Sequence, residues 1–249
     1  MTIFAFLTQT LGLESGVINE RFSYKVDGIE SGMDFTKFVG FMASSSSIGV
    51  YLVGIEICYR IIKKGSTGDI SSFPFIAYFI ACCLWLRYGV LENIFAVTIV
   101  NGFGAVTQFT YICIFYMYTK RRNHFLRMLF FGCCLLLLPL VYVKYFQLDH
   151  KKAQNHFGMI CVGMTIIGYA APLASLTDVI KTKSTDCMSF PLVFVNFVVA
   201  IEWFLYGLLI KDFYLQLPNF LGFVLALMQL GLFIRYPGKK TPPPIVHTL

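Results

Sequence analysis

Two asparagines and two tryptophans hold matched places in this chain. Asn219 follows Asn101 by 118 positions, and Trp203 follows Trp85, the only other tryptophan, by the same 118. A carboxamide donates and accepts hydrogen bonds together, so a pair of them suits a neutral, polyhydroxylated ligand. An indole presents a flat apolar face that packs on the C–H face of a sugar ring through dispersion and the ring quadrupole. Each residue type also has a plainer use. Asparagines in membrane helices often bond one helix to the next, and membrane tryptophans often mark the lipid–water boundary. Neither use requires matched positions in two halves of a chain. The spacing therefore predicts a central site with Asn101, Asn219, Trp85 and Trp203 contributed by two related walls.

The elements that position these residues follow from the same offset. Trp85-Leu86-Arg87-Tyr88-Gly89 returns as Trp203-Phe204-Leu205-Tyr206-Gly207, Gly104 as Gly222, Lys63 as Lys181, and Ser66-Thr67 as Ser184-Thr185. Of 249 residues, 57% are hydrophobic and 13% charged, whereas a soluble domain carries about 25% charged residues. The apolar residues fall in blocks of about 20, enough to cross a bilayer as helices. Seven spans are predicted: Val39–Tyr59, Ser72–Leu91, Ile94–Tyr118, Met128–Val143, Phe157–Thr177, Cys187–Ile210 and Phe213–Ile234. The first three pair with the last three under the offset, and the fourth has no partner. The expected fold is an all-α integral membrane protein of seven transmembrane helices, with two three-helix bundles joined by a linker helix (3+1+3). One linker helix returns the chain to its starting side, so the two repeats are parallel. The expected boundaries are 1–37 for an N-terminal extracellular or lumenal extension, 38–122 and 151–237 for the repeats, 123–150 for the linker, and 238–249 for a cytoplasmic tail.

Charge fits a membrane and not a nucleic acid. The formal net charge is +7, but the basic residues lie in short loops between apolar blocks, as the inner face of a membrane favours. Twelve Lys and Arg residues follow the first, third, fifth and seventh spans, against seven on the opposite side. That bias predicts a cytoplasmic C-terminus and an outside N-terminus. The eight cysteines show no ligand spacing and read as small fillers of helix interfaces. There is no metal cluster, cofactor loop, or paired nucleophile and base, so no cofactor and no enzymatic activity are expected. Met1–Leu13 is apolar but lacks a basic start, and reads as an interfacial extension sooner than a signal peptide.

Helix breakers mark candidate hinges. Pro74 opens the second span, Pro172 ends the fifth, Pro191 lies early in the sixth, and Gly54 is the offset partner of Pro172. Ordinary helix ends are the alternative for each proline. The embedded charges are Glu56, Arg87 and Glu202. Glu202 adjoins Trp203 and could be a proton site, an ion-pair partner of Arg87, or a group reaching a polar cavity. Ser44–Ser47 reads as a close-packing run with no ligand role.

Taken together, these segments resemble the SWEET family of sugar transporters from Phe38 to Pro237. The resemblance rests on Arg60-Ile61-Ile62-Lys63-Lys64-Gly65-Ser66-Thr67, Trp85-x-x-Tyr88-Gly89, Val100-Asn101-Gly102-Phe103-Gly104, Ala171-Pro172-Leu173, Trp203-x-x-Tyr206-Gly207-Leu208 and Pro218-Asn219. It implies bidirectional, facilitated movement of a sugar by alternating access between the bundles. It places the family's asparagine pair on Asn101 and Asn219, and its pocket aromatic on Trp203 with Trp85 opposite. Of the family's four hinge prolines it matches Pro74 and Pro172, with Gly54 in place of one and Pro191 displaced, as in animal members. Two bulky indoles favour a monosaccharide such as glucose over sucrose. Related carriers with Pro-Gln loops, proton-coupled, are the nearest alternative, but no Pro-Gln dipeptide occurs. A seven-helix receptor shares the helix count and lacks the internal repeat. The expected partners are a small sugar and the bilayer, with self-association left open. The expected location is the plasma membrane, or else an endomembrane.

Overall fold

The computed structural model describes residues 34–145 and 149–236. The expectations for the chain before Asp34 and for the tail after Tyr236 fall outside these residues. Among the described residues the helices are α1 (Phe35–Leu52), α2 (Gly54–Lys64), α3 (Phe73–Leu91), α4 (Phe95–Tyr118), α5 (Arg122–Tyr145), α6 (His150–Gly168), α7 (Ala170–Thr182), α8 (Phe190–Ile210) and α9 (Phe213–Arg235). They make seven spans, because the first (Phe35–Lys64) and the fifth (His150–Thr182) are each broken into two helices. The protein is thus an all-helical, seven-span membrane protein, and many large apolar side chains are exposed, among them Phe130, Phe131 and Leu138 of α5. Helices suit this setting because every backbone bond closes within the span.

The breaks fall at Val53 and Tyr169. Pro172 was expected to end the fifth span; instead it sits in the first turn of α7, and the span runs on to Thr182. In a first turn the missing proline N–H would have had no helical partner, so the residue starts a new helix segment at no cost in hydrogen bonds. Gly54 likewise opens α2. Pro74 and Pro191 occupy the first turns of α3 and α8. They begin helices there and interrupt none.

Packing repeats with the sequence. The third span of each repeat lies between the first and second, α4 against α1 and α3, and α9 against α6 and α8. The bundles meet crosswise, with α1 on α8 and α3 on α6, while α5 rests on α3 and α6. Beyond the breaks the pattern changes: α2 packs on α4 and α7 on α9, each within its own repeat.

The glycine present in both copies of the Trp-x-x-Tyr-Gly motif acts where the second span of each repeat meets the third. A Cβ on Gly89 would come within 2.9 Å of the Thr98 backbone nitrogen, and one on Gly207 within 3.1 Å of the Gln216 nitrogen. Thr98 and Gln216 are themselves offset partners. Glycine thus lets the tryptophan-bearing helix lie against the turn that carries Asn101 or Asn219. The loops repeat as backbone too: Asn93 and Lys211, again offset partners, both take the left-handed conformation, with φ 59 and 57. Asparagine accepts this region readily, whereas lysine does so only under the constraint of the fold.

Candidate functional site

Asn101 is buried on α4 and Asn219 is half-buried on α9. Each amide donates backwards along its own helix, Asn101 Nδ2 to Val97 O at 2.9 Å and Asn219 Nδ2 to Leu215 O at 2.7 Å. Val97 and Leu215 are offset partners, so the two amides are held alike. Among the described residues no protein group bonds either Oδ1, which leaves both carbonyl oxygens able to accept from a ligand hydroxyl.

The tryptophans reach across the molecule. Trp85 Nε1 donates to Thr165 Oγ1 at 3.1 Å, and Trp203 Nε1 donates to Ser47 Oγ at 2.8 Å. Ser47 and Thr165 are 118 positions apart as well. The second span of each repeat therefore holds the first span of the other, through the same pair of positions. Each indole also meets its motif tyrosine edge-on, Trp85 with Tyr88 at 5.6 Å and Trp203 with Tyr206 at 5.7 Å between ring centres. Both indole N–H groups are satisfied by these hydroxyls, which fixes the rings and leaves their faces for apolar contact. Ser47 belongs to the serine run that was expected only to pack helices; here it is the acceptor of one clasp.

Next to that clasp lies an unsymmetrical one. Ser46 Oγ donates to Glu202 Oε1 at 3.2 Å, and Glu202 Oε2 is buried without a partner. The offset partners of Ser46 and Glu202 are Met164 and Leu84, so the other side of the interface is apolar at this level. Arg87, half-buried on α3, was one expected partner of Glu202; the carboxylate takes Ser46 instead. Glu56 is far from this arrangement in role: it pairs with Arg60 on the exposed face of α2.

One end of the bundle is closed by bridges between the repeats. Tyr88 Oη donates to Asp212 Oδ2 at 2.8 Å, while Asp212 Oδ1 accepts from Leu215 N at 2.9 Å and caps α9. Gln154 Nε2 donates to Glu92 Oε2 at 2.7 Å, and His150 Nε2 lies 3.1 Å from Leu91 O. Among the described residues, no hydrogen bond joins the repeats beyond the breaks at Val53 and Tyr169. The molecule is held shut at the Glu92–Asp212 end, whereas at the α2 and α7 end no hydrogen bond joins the repeats among the described residues.

Glu92 carries a pH-dependent cost at the closed end. Its side chain is 12% exposed, and Oε1 has no hydrogen-bond partner, with His150 Nε2 at 3.8 Å. Burial pushes its carboxyl above the ordinary range; the nearby His150 opposes the rise and Asp212 adds to it. A raised value means that the folded protein holds this proton more tightly than the unfolded chain. The folded form is thus favoured below the ordinary carboxylate value of about 4.3 and loses that advantage as pH rises through the raised one. Glu92→Gln keeps an acceptor for Gln154 and removes the charge. It is expected to raise the apparent melting temperature in detergent by about 2 °C or more at pH 7.5, and to change nothing near pH 4. Equal melting at both pH values would refute this account of Glu92.

Against known proteins, the chain matches twice a family model described as a sugar efflux transporter for intercellular exchange, over residues 37–123 and 155–241. It is 37% identical over 196 residues to the sugar transporter SWEET1 of Drosophila pseudoobscura pseudoobscura, covering 78% of this chain and 87% of that protein. It is 33% identical to the bidirectional sugar transporter SWEET11 of Arabidopsis thaliana, over 82% of this chain and 72% of that one. A solved structure of a eukaryotic SWEET transporter superimposes with a TM-score of 0.73 at 30% identity, over 82% of this chain and 99% of the other.

Proposed function

We propose that this chain, which belongs to the SWEET family of sugar transporters, carries a neutral monosaccharide in both directions down its gradient by rocking its two bundles about a shared site. The observation that carries the reading is the crossed pair of indoles, Trp85 to Thr165 and Trp203 to Ser47. They set two flat apolar walls, one from each repeat, while the Oδ1 atoms of Asn101 and Asn219 stay available to hydroxyls. Acceptors and ring faces from these four residues suit a neutral sugar.

Alternating access follows from where the bundles are joined. Opening requires loss of the bridges at the Glu92–Asp212 end, and closing the other end requires α2 and α7 to approach one another. The breaks at Val53 and Tyr169, with Gly54 and Pro172 beside them, are the points at which each first span bends. Pro74 and Pro191 act less directly, as rigid starts of the second spans. The repeats are taken as 38–122 and 151–237, with the basic loops cytoplasmic and the Glu92–Asp212 end outside or lumenal.

Two indoles leave less room than one indole facing a small side chain, so glucose is expected to move faster than sucrose. Vesicles holding the full-length protein, offered labelled glucose, sucrose and an amino acid with and without an imposed pH gradient, test this. Equal sucrose flux would sink the size argument, and amino-acid flux would replace the substrate class. Uptake that follows the pH gradient would make the unpartnered Glu202 oxygen a proton site; indifference to it supports simple facilitation.

A further inference from the structure

We propose that Tyr111 and Gln229 are positioning residues that tie each helix break to the third span of its own repeat, so that break and third span swing as one body. This rests on the reading of the breaks as hinges. The two residues are unlike in chemistry, yet they are offset partners and do the same thing. Tyr111 Oη donates to Tyr51 O at 3.1 Å, and Gln229 Nε2 donates to Pro172 O at 3.3 Å. Tyr51 lies just before the first break and Pro172 just after the second. Both donors are buried, at 4% and 8% exposure.

Tyr51 O lies in the last turn of α1 and Pro172 O in the first turn of α7, so each side chain brings a donor to backbone beside a break. The surroundings show that each pin is built in. The Tyr111 ring meets Phe75 edge-on at 5.8 Å and covers Gly54 so closely that a Cβ there would collide with it. Gln229 Nε2 also lies 3.7 Å from Met188 Sδ. With α2 packed on α4 and α7 on α9, these two bonds couple break to third span, and at the second break Tyr169 Oη adds a further tie by donating to Pro218 O of α9 at 2.6 Å.

Hydrogen exchange read by mass spectrometry on the full-length protein in nanodiscs, with labelled-glucose counterflow in vesicles, tests the assignment. Tyr111→Phe keeps the ring and removes the donor. It should speed exchange of amides around residues 52–60 by about three- to tenfold and leave residues 169–176 unchanged. Gln229→Leu should do the reverse. In both, the maximal glucose rate should fall by a similar factor while KM stays within about twofold, because the ligand-binding groups are untouched. Unchanged exchange at both breaks would overturn the proposal, and so would loosening of both breaks by either variant. A raised KM with an unchanged maximal rate would assign these residues to binding and overturn it as well. If the unaltered protein moves no glucose, the transport reading fails, and the exchange pattern still decides the pins. Either variant suffices if the other does not reach the membrane.

Discussion

Replacing Asn101 or Asn219 with alanine should cut labelled-glucose flux by at least about tenfold while surface expression stays at the level of the unaltered protein. Each carboxamide spends its Nδ2 on its own helix, at Val97 O and Leu215 O. Its Oδ1 is then the group left for a hydroxyl. An unmet hydrogen bond in a desolvated site costs about 1–3 kcal/mol, which spans that factor. Alanine has a higher helix propensity than asparagine, so α4 and α9 should form as before. The double variant should lose little more than either single one, since a ligand held by both walls is already released when one fails. Normal flux in both single variants would return the pair to helix packing and remove the central site.

Tyr88→Phe should open the end of the molecule that is now shut. Tyr88 is fully buried, set edge-on against Trp85 and, at 6.1 Å, against Tyr214, with its hydroxyl on Asp212. Phenylalanine keeps the ring packing and removes the hydroxyl that bridges the repeats by donating to Asp212. A hydrogen bond to a charged acceptor contributes about 1.5–3 kcal/mol, so the balance between closed and open forms should move by roughly ten- to a hundredfold. Cys161 on α6 is wholly buried in the described state. Its labelling by a membrane-impermeant thiol reagent, resolved peptide by peptide, should rise in the variant. Glucose flux should fall several-fold, because each cycle must close this end. If Cys161 stays protected and flux is normal, Tyr88 and Asp212 do not form the closure.

Much of the architecture could be read along the chain. Apolar blocks and their lengths specify seven spans, and they do so because a helix in lipid satisfies its own backbone without reference to neighbours. The offset of 118 identifies the repeat, pairs Asn101 with Asn219 and Trp85 with Trp203, and marks Gly54 and Pro172 as related. These features are local or periodic, so they survive in one dimension. Gly89 and Gly207 were legible as motif residues, although the backbone they make room for was not.

The bonds between the repeats were not legible. Ser47 and Thr165 obey the offset, but nothing in their spacing says that a tryptophan of the other repeat will reach them. Asp212 matches Ile94 and so gives no repeat signal, yet it receives Tyr88 and caps α9. Tyr111 and Gln229 share a position and no chemistry, and their common task emerged from two backbone carbonyls that no residue code reports. Helix formation in a membrane is settled within each segment; the clasps, the closure and the pins depend on how two rigid bundles sit against each other, and that arrangement exists only after they have packed.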